Sequence, residues 1–373
     1  MVTTRLVFGA GLAVAGLLAG GAAGAASRWV IQSTPNPSRT SFLDGVSCSS
    51  RKACTAVGAY QTGSGAFKTL AERWNGRNWI RQPTPNPAGL SPEMVAVSCP
   101  RATYCVAVGS TGDGLKTLAE QWNGRRWAVQ ASGTGGVGWL TGVSCISPSV
   151  CEAVGFSGFN GVLAERWNGA RWKVQHTASP AGNSGLAGVS CPSAADCTAV
   201  GYTGTGGGTF AEQWNGRSWA VTATRSPSGF SFLYGVSCSA ASACTATGYY
   251  ETGGGNNKTL AERWNGRRWA LQPTPRSTLT GTAVDLAAVS CPSSSDCIAT
   301  GYHWTAAGQR VLAEQWNGRV WAIQRTADPK GTFSSQLNAV SCPSASYCMA
   351  VGSYDISFGK KTLAELWAVR PAR

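Results

Sequence analysis

Seven short cysteine pairs, each with five residues between its two members, place the strongest constraint on how this chain can fold. The pairs are Cys48 with Cys54, Cys99 with Cys105, Cys145 with Cys151, Cys191 with Cys197, Cys238 with Cys244, Cys291 with Cys297, and Cys342 with Cys348. The first cysteines of successive pairs lie 46 to 53 residues apart. That period is typical of propeller blades rather than of helical repeats. The spacing therefore predicts seven copies of one structural unit.

Each unit contains four apolar segments, which in the first copy are residues 43–48, 54–58, 69–74 and 79–82. Asn-Gly separates the third segment from the fourth six times, and this dipeptide is the strongest short hairpin signal. If Asn123-Gly124 forms the two-residue loop, Trp122 faces Arg125 and Glu120 faces Trp127. The pattern predicts a four-stranded antiparallel meander in every repeat.

The two ends of the repeat region are complementary. The last repeat stops after its third segment, at Trp367, whereas residues 28–32 form an orphan fourth segment that contains Trp29. Pairing these segments completes the seventh repeat and removes an exposed sheet edge. We therefore predict an all-β protein, a seven-bladed β-propeller with four antiparallel strands per blade. It would be a single domain over residues 28–373, closed by pairing the strand at 28–32 with the C-terminal blade.

Residues 1–26 have the character of an export signal. They carry one early cation, Arg5, then an apolar stretch, and small residues at Ala23 and Ala25 that a signal peptidase accepts. The stretch is also long enough to span a bilayer, so an uncleaved anchor is the alternative. With the signal cleaved, we expect a secreted or cell-envelope-associated monomer without stable membrane insertion.

Fourteen cysteines in an exported chain favour disulfides, because oxidising compartments preserve them and the number is even. Binding of soft metals is the competing interpretation, but a chain with only two histidines offers few mixed ligand sets. The two members of each pair would face each other across a short hairpin, where Cβ separations suit a bridge. We predict seven disulfides within blades, with no metal and no cofactor.

Residues that recur in every repeat are expected to serve the fold. Fourteen of the 16 tryptophans belong to the seven hairpin pairs, so core packing is favoured over a tryptophan-rich binding platform. A Leu-Ala-Glu or Phe-Ala-Glu triplet also recurs seven times, and catalytic acids do not usually recur in this way. We expect each of these glutamates to accept hydrogen bonds from an indole, a backbone amide or an arginine, because a buried carboxylate needs partners.

The Ser-Cys-x5-Cys-x-Ala-Val-Gly and Leu-Ala-Glu-Arg/Gln-Trp-Asn-Gly-x-x-Trp units resemble repeats of uncharacterised exported bacterial proteins. The resemblance covers residues 28–373. The arrangement is also similar to propellers of the kelch, sialidase and lectin kinds, although the Asp-box pattern of sialidases is not reproduced. This resemblance implies a fold and not an activity.

Residues that differ from blade to blade are expected on one face of the ring. The loops between the second and third strands and between blades emerge together and vary in length and composition, whereas the disulfide and Asn-Gly turns emerge on the opposite face and are nearly uniform. We call these the variable face and the turn face. The candidate ligand-binding residues of the variable face are Trp139, Trp304, His303, Tyr302, Tyr250, Glu251, Lys258 and Arg310.

Lysine and arginine outnumber aspartate and glutamate by 31 to 17, which favours anionic partners. Five cations occupy related positions near the third strands and either ring the variable face or aid solubility: Lys68, Lys116, Lys258, Arg310 and Lys361. The favoured function is a non-enzymatic binding or scaffold protein that recognises a glycan, an anionic envelope polymer or an extracellular protein. Nucleic acid is disfavoured because the cations are spread around the ring rather than along a groove.

The alternative function is a carbohydrate-active enzyme, a glycoside hydrolase or a polysaccharide lyase, with its site on the same face. Residues 302–304 near Glu251 or Asp355 would have to supply the acid and the base. The sequence contains no phosphate-binding loop, zinc motif or nucleophile elbow, and no catalytic residue is assigned.

Overall fold

The computed structural model describes residues 27–87, 91–112, 116–133, 137–158, 161–178, 180, 183–204, 207–227, 230–253, 256–275 and 283–369. The predicted signal peptide at 1–26 lies outside these ranges. Within them, no helix is long and apolar enough to cross a membrane.

The described residues form 28 strands, arranged as seven separate four-stranded antiparallel sheets, which confirms the predicted seven-bladed β-propeller. The first four blades are β2 (Ser41–Ser50), β3 (Ala53–Gln61), β4 (Phe67–Trp74), β5 (Trp79–Gln82); β6 (Glu93–Arg101), β7 (Tyr104–Thr111), β8 (Lys116–Trp122), β9 (Trp127–Gln130); β10 (Gly138–Ser147), β11 (Val150–Ser157), β12 (Gly161–Trp167), β13 (Trp172–Gln175); and β14 (Gly185–Ser193), β15 (Asp196–Tyr202), β16 (Thr209–Trp214), β17 (Trp219–Thr222). The last three are β18 (Ser231–Ala240), β19 (Ala243–Thr252), β20 (Asn256–Trp264), β21 (Trp269–Gln272); β22 (Val284–Ser293), β23 (Asp296–Thr305), β24 (Gly308–Trp316), β25 (Trp321–Gln324); and β26 (Ser335–Ser344), β27 (Tyr347–Ile356), β28 (Gly359–Val369) with β1 (Ser27–Gln32).

Blade 7 is closed by the two ends of the described chain, as predicted. Strand β1 pairs antiparallel with β28, and Trp29 lies directly opposite Trp367. Both indoles are almost fully buried, Trp29 at 1 % exposure and Trp367 at 2 %. Burial of aromatic side chains of this size stabilises the closed ring strongly and leaves β28 without a free edge.

All seven predicted disulfides are present, and no cysteine among the described residues is free. Their Cα–Cα distances are 3.9 to 4.1 Å, and each bridge joins the first strand of a blade to the second. In blade order, Cys48 is bonded to Cys54, Cys99 to Cys105, Cys145 to Cys151, Cys191 to Cys197, Cys238 to Cys244, Cys291 to Cys297, and Cys342 to Cys348.

Each bridge closes a loop of only a few residues, so it contributes about 2 kcal/mol in the chain-entropy model. The second cysteine of each pair is more deeply buried than the first: Cys54, Cys105, Cys151, Cys197, Cys244, Cys297 and Cys348 are all at most 2 % exposed. These sulfur atoms pack into the cores between blades, so the bridges serve the fold and are not available to a ligand. Seven such bonds indicate an oxidising environment.

The serine of each Ser-Cys motif connects one blade to the next. Its Oγ accepts a hydrogen bond from the backbone N–H of the first cysteine in the following blade, at 2.9 to 3.0 Å, and the seven bonds run around the whole ring. The last of them joins Ser341 to Cys48 across the closure. The repeated serine therefore serves ring assembly rather than chemistry.

The first strands of the blades line the centre of the ring and contact each other. Only small residues fit where they meet: a Cβ added to Gly45 would lie 2.9 Å from the Ala96 Cα, and one added to Gly235 would lie 2.9 Å from the Ala288 Cα. The core lies between adjacent blades, where a fully buried leucine from the first strand, such as Leu43 or Leu233, packs against alanine, valine and tryptophan. The size of these central residues sets how closely the blades can approach.

The repeated tryptophans and glutamates are buried as expected. Thirteen of the fourteen paired tryptophans are at most 8 % exposed, and Trp214 is half-buried. All seven repeated glutamates are at most 2 % exposed. Glu165, for example, accepts from the Ser132 hydroxyl and the Gly133 amide of the preceding blade, each at 2.9 Å. The partners that the structure shows are backbone amides and hydroxyl groups, whereas none is an indole.

The predicted register of the Asn-Gly hairpins is wrong by one residue on each strand. Trp122 lies opposite Trp127, and Glu120 lies opposite Val129. Asn123 precedes the two-residue loop instead of opening it, and its Oδ1 accepts from the amides of Arg125 and Arg126. Gly124 then occupies the first central position with a φ of +91°, where type II′ turns require glycine. The side-chain bonds of asparagine decide the register.

Candidate functional site

The two kinds of loop segregate to opposite faces, as predicted. Each Asn-Gly turn packs on the disulfide turn of its own blade, so that the Cβ position of Gly76 lies 3.1 Å from Lys52 Cγ and that of Gly124 lies 3.3 Å from Thr103 Cβ. On the other face, the loops between second and third strands contact the connections between blades, as the close approach of Gly308 to Phe333 shows. In the part of the chain that the structure describes, the variable face therefore surrounds the mouth of the central channel.

The five predicted cations hold equivalent register positions on this rim. Each lies in or at the start of a third strand, opposite a residue of the second strand: Lys68 faces Tyr60, Lys116 faces Thr111, Lys258 faces Tyr250, Arg310 faces His303 and Lys361 faces Tyr354. Four of the five opposing residues are aromatic. In blades 1, 5, 6 and 7, the rim thus pairs one aromatic ring with one cation across neighbouring strands.

A cavity of about 560 Å³ occupies the central channel. The first strand of every blade has a register irregularity after its buried leucine or methionine, and the residue at that position turns towards the channel. These seven residues vary in size and polarity: Asp44, Val95, Thr141, Ala187, Tyr234, Ala287 and Asn338. All seven line the cavity, together with Tyr202, Phe156 and Asp285.

One side of the channel carries a cluster of aromatic rings. Phe232 stacks on Tyr249 with ring centroids 5.2 Å apart and packs against Tyr202 at 5.0 Å and Tyr234 at 6.1 Å. The rings of Tyr234 and Tyr249 also contact each other, with centroids 6.0 Å apart. Burial raises the pKa of both phenols, so they remain protonated hydrogen-bond donors.

Asp285 adjoins this cluster on blade 6, opposite Tyr302 in the sheet. It is 8 % exposed, and its Oδ1 has no hydrogen-bond partner among the described residues. Burial raises the pKa of Asp285 to about 7, with the Leu286 amide opposing the shift. A buried carboxyl oxygen without a donor is costly and calls for an explanation such as a ligand.

A second carboxyl, Asp44, lines the channel from blade 1. It accepts a 2.8 Å hydrogen bond from the Asn338 amide. Burial raises the pKa of Asp44 to about 7, and the nearby Glu93 adds to the shift while Asn338 and Lys360 oppose it. The channel of this basic protein is thus lined by carboxyl, amide, hydroxyl and aromatic groups.

The predicted residues of blade 5 lie near the rim. Tyr250 and Lys258 line a cleft of about 770 Å³ whose wall also includes Pro275. Glu251 is half-buried and its backbone N–H donates to the Phe230 carbonyl at 2.8 Å.

The predicted residues of blade 6 diverge because neighbours along a strand point to opposite sides of the sheet. Tyr302 lies near Asp285 and Tyr249, and burial raises its pKa. His303 faces Arg310; burial lowers the pKa of His303, which Asp328 opposes and Arg310 reinforces. Glu251 and Asp355, which sequence reasoning placed with it, are not among the charges that shift its pKa.

Trp304 and Arg310 differ in how available their side chains are to a ligand. Trp304 is 38 % exposed and lies one residue before the end of β23. The Arg310 guanidinium donates to the carbonyls of Gln309, Phe333 and Ala307 at 2.8 to 3.0 Å, which ties it to the surrounding loops. Arg310 therefore supports the local backbone.

Trp139 belongs to another part of the ring. It lies in β10 of blade 3 and packs on Phe156 with centroids 5.8 Å apart. Blade 4 separates it from the residues of blades 5 and 6. The structure thus brings Tyr302 to the channel cluster, leaves the other predicted residues of blades 5 and 6 on the rim, and sets Trp139 apart.

Sequence reasoning missed the channel residues Asp285, Asp44, Tyr234 and Asn338. For Asp44, Tyr234 and Asn338 a signal was available, because the position after the buried leucine or methionine is variable within an otherwise regular segment. Without the register irregularity, however, strict alternation does not reveal that this residue turns towards the channel. No group of three or more potential metal ligands occurs among the described residues.

No protein-family model and no curated protein matches this chain. Similar solved structures are propellers of low identity. The chain resembles YCF48 bound to a D1 peptide at 13 % identity, with a TM-score of 0.59 over 92 % of this chain and 97 % of that one. It resembles the GH74 xyloglucanase from Xanthomonas campestris at 14 % identity, with a TM-score of 0.56 over 89 % of this chain and 54 % of the enzyme. It also resembles Chaetomium thermophilum Sqt1 bound to the N-terminus of the ribosomal protein L10 at 11 % identity, with a TM-score of 0.50 over 87 % and 86 %. These likenesses show the propeller fold alone.

Proposed function

We propose that this chain is an exported binding propeller that recognises a glycan at the mouth of its central channel. The observation that carries the proposal is the buried Asp285 carboxyl, whose Oδ1 has no partner among the described residues in the wall of a 560 Å³ cavity beside a cluster of tyrosines. Seven disulfides and the apolar leader-like sequence at 1–26 support a location outside the cytoplasm.

The chemistry of the channel suits sugar hydroxyl groups. Carboxyl and amide side chains such as Asp285, Asp44 and Asn338 accept or donate hydrogen bonds in fixed directions, and aromatic faces cover the apolar C–H side of a sugar ring. The volume lies within the usual range of small-ligand sites. Because the channel walls are first strands of rigid blades, the groups are held in place before binding, which lowers the entropic cost of recognition.

A protein or an anionic envelope polymer is the second candidate, favoured by the ring–cation pairs of the rim. These pairs span several blades and would contact an extended acidic partner rather than a single sugar. Two of the similar propellers, YCF48 and Sqt1, are described with a bound peptide and a bound protein N-terminus respectively. A partner of this kind would depend on Lys68 and Lys361 more than on Asp285.

The test is a screen of the chain from Ser27 onward against an array of glycans and envelope polymers. We expect a bound glycan whose affinity falls at least about tenfold in Asp285→Asn, because a charge-assisted hydrogen bond is worth roughly 1.5–3 kcal/mol. Asp196→Asn, which changes a carboxylate on the turn face, is the matched control and should bind normally. Affinity should also rise as the pH passes about 7, because Asp285 then ionises and becomes a better acceptor.

Two results would contradict glycan recognition in the channel. One is an array without any retained glycan, and the other is equal retention by Asp285→Asn and the unchanged protein. Loss of a polymer or protein ligand in the double variant Lys68→Gln with Lys361→Gln, with Asp285→Asn unaffected, would establish the second candidate. The hydrolase or lyase alternative is tested by analysing each bound glycan for cleavage after incubation.

A further inference from the structure

The turn face carries a ring of arginines that the function of the variable face does not use. The residues that follow the six Asn-Gly dipeptides include eight arginines: Arg77, Arg125, Arg126, Arg171, Arg217, Arg267, Arg268 and Arg319. All eight are exposed, and none forms an ion pair with another described residue. Because the Asn-Gly turns pack on the disulfide turns, these side chains share one face.

Nearly all of the charge on this face has one sign. The adjoining disulfide turns add Arg51, Lys52 and Arg101, whereas the only acids in these turns within the described residues are Asp196 and Asp296. Eleven cations against two carboxylates give the face a net charge of +9, out of +14 for the whole chain. On the variable face, by contrast, cations are interspersed with Asp44, Glu93, Asp285 and Asp355.

The backbone presents these arginines rigidly. In each of the six turns the asparagine Oδ1 accepts from the two backbone amides that follow the glycine, at 2.9 to 3.0 Å. The turn is fixed by backbone and asparagine atoms alone, so the arginine side chains play no part in holding it. The stability of the turn therefore does not explain why arginine recurs in every complete hairpin.

The seventh position of the ring is where the chain enters and leaves the propeller. Strand β28 ends at Val369, whose backbone N–H donates to the carbonyl of Ser346 in the disulfide turn of blade 7, and Ser27 pairs with Val369. In the sequence, Ser27 is preceded by 26 residues whose one charged side chain is Arg5, and Val369 is followed by Arg370 and Arg373. The largely apolar sequence thus joins the described chain at Ser27, where β1 begins on the turn face.

We propose that the turn face docks on a lipid bilayer that carries anionic headgroups. Arginine binds phosphate in a bidentate manner, and a surface of nearly uniform positive charge is attracted to an anionic membrane over about a Debye length. Where the apolar sequence before Ser27 is retained as an anchor, a bilayer also accommodates it, whereas a soluble polyanion does not. Docking in this way directs the variable face, with its channel mouth, away from the membrane and towards a ligand.

The test uses the chain from Ser27 onward, because every described strand and all seven disulfides lie within it. It is sedimented with phosphatidylcholine vesicles that contain or lack phosphatidylglycerol, at low and at physiological ionic strength. We expect binding only to the anionic vesicles, weakening with salt. The fourfold variant Arg125→Gln, Arg126→Gln, Arg267→Gln, Arg268→Gln should weaken it roughly 100-fold, since each basic residue near such a surface contributes several-fold.

The matched control removes four cations from the variable face: Lys68→Gln, Lys116→Gln, Lys258→Gln and Lys361→Gln. Its net charge equals that of the arginine variant, so retained vesicle binding would show that the turn face, and not the total charge, is responsible. Equal losses in both variants would overturn the proposal. Failure to bind anionic vesicles, or retention on a soluble polyanion but not on vesicles, would overturn it as well. Circular dichroism and the melting temperature of each variant establish that the ring is intact.

Discussion

The substitution Thr222→Gln should stabilise the ring by giving a buried indole the acceptor that its counterparts have. In four blades the last residue of the fourth strand is a glutamine whose Oε1 accepts from a tryptophan of the next blade: Gln82 from Trp127, Gln130 from Trp172, Gln175 from Trp219 and Gln272 from Trp321, at 2.8 to 3.0 Å. Thr222 occupies this position in blade 4, and the Trp269 Nε1 has no partner among the described residues although the ring is 1 % exposed.

The magnitude follows from the cost of an unpaired donor. A buried N–H without an acceptor costs about 1–3 kcal/mol, and a new neutral hydrogen bond yields about 0.5–1.5 kcal/mol net. Ordering the longer glutamine side chain opposes this gain, because it costs up to about 2 kcal/mol of conformational entropy. Thr222 already loses some side-chain entropy on folding, so only the difference between the two residues counts. We therefore expect Thr222→Gln to raise the free energy of unfolding by roughly 0.5–1 kcal/mol. The reciprocal change, Gln272→Thr, should lower it by about 1–3 kcal/mol because Trp321 loses its acceptor.

The assay is denaturant unfolding with the disulfides oxidised, followed by tryptophan fluorescence. Gln32→Thr is the control. The Gln32 amide donates to the Val30 carbonyl of its own strand, so it does not serve the next blade. The corresponding indole of that blade has no acceptor among the described residues. This substitution should change the free energy of unfolding by less than about 0.5 kcal/mol. The reasoning is refuted if Thr222→Gln destabilises the protein while Gln272→Thr is as harmless as Gln32→Thr.

The remaining predictions concern the buried glutamates and the glycines of the second strands. Burial raises the pKa of Glu72, Glu314 and Glu365 from 4.5 to about 8, so the folded state binds more protons than the unfolded state between these values. Their contribution to stability is present below about pH 4.5 and lost as the pH rises through 8. The free energy of unfolding should therefore fall from about pH 5 to about pH 9, less steeply in Glu72→Gln, and a rise over this range would contradict the account. Gly58→Ala should destabilise the ring by more than about 3 kcal/mol, because overpacking that displaces backbone is costly. The added Cβ would lie 2.0 Å from the Phe42 carbonyl oxygen, whereas Gly63→Ala meets nothing within 4 Å; equal melting temperatures of the two variants would be incompatible with this clash.

The architecture was accessible from the sequence because the repeat presents each local signal six or seven times. A single Cys-x5-Cys pair or a single Asn-Gly is weak, but the same spacing in each unit identifies the blade, its disulfide and its face. The closure was accessible for a similar reason, since Trp29 and Trp367 are each incomplete without the other. The hairpin register was predicted incorrectly, because the Asn123 Oδ1 bonds shift the turn by one residue relative to the dipeptide rule.

The candidate site was less accessible. Sequence reasoning selected the residues that depart from the repeat; of these, Tyr302 lies beside the channel cluster, whereas Trp139 lies on blade 3. It overlooked Asp285 because a single aspartate before a buried leucine has no distinctive pattern. It also treated the turn face as nearly uniform, since arginines that recur in six of the seven blades look like part of the scaffold.

The number of blades, the disulfides, the strand order and the way the ring closes could all be predicted from the sequence, because they depend on periodicity and on short-range geometry. Which side chains meet in the channel and which charges share a face depends instead on how the seven sheets pack in three dimensions. Asp285 and Tyr234 are 51 residues apart and lie on different blades, and Arg77 and Arg319 belong to blades 1 and 6. Closing seven sheets around one axis brings such residues together, and the small central residues that set the packing of adjacent blades fix how close they come.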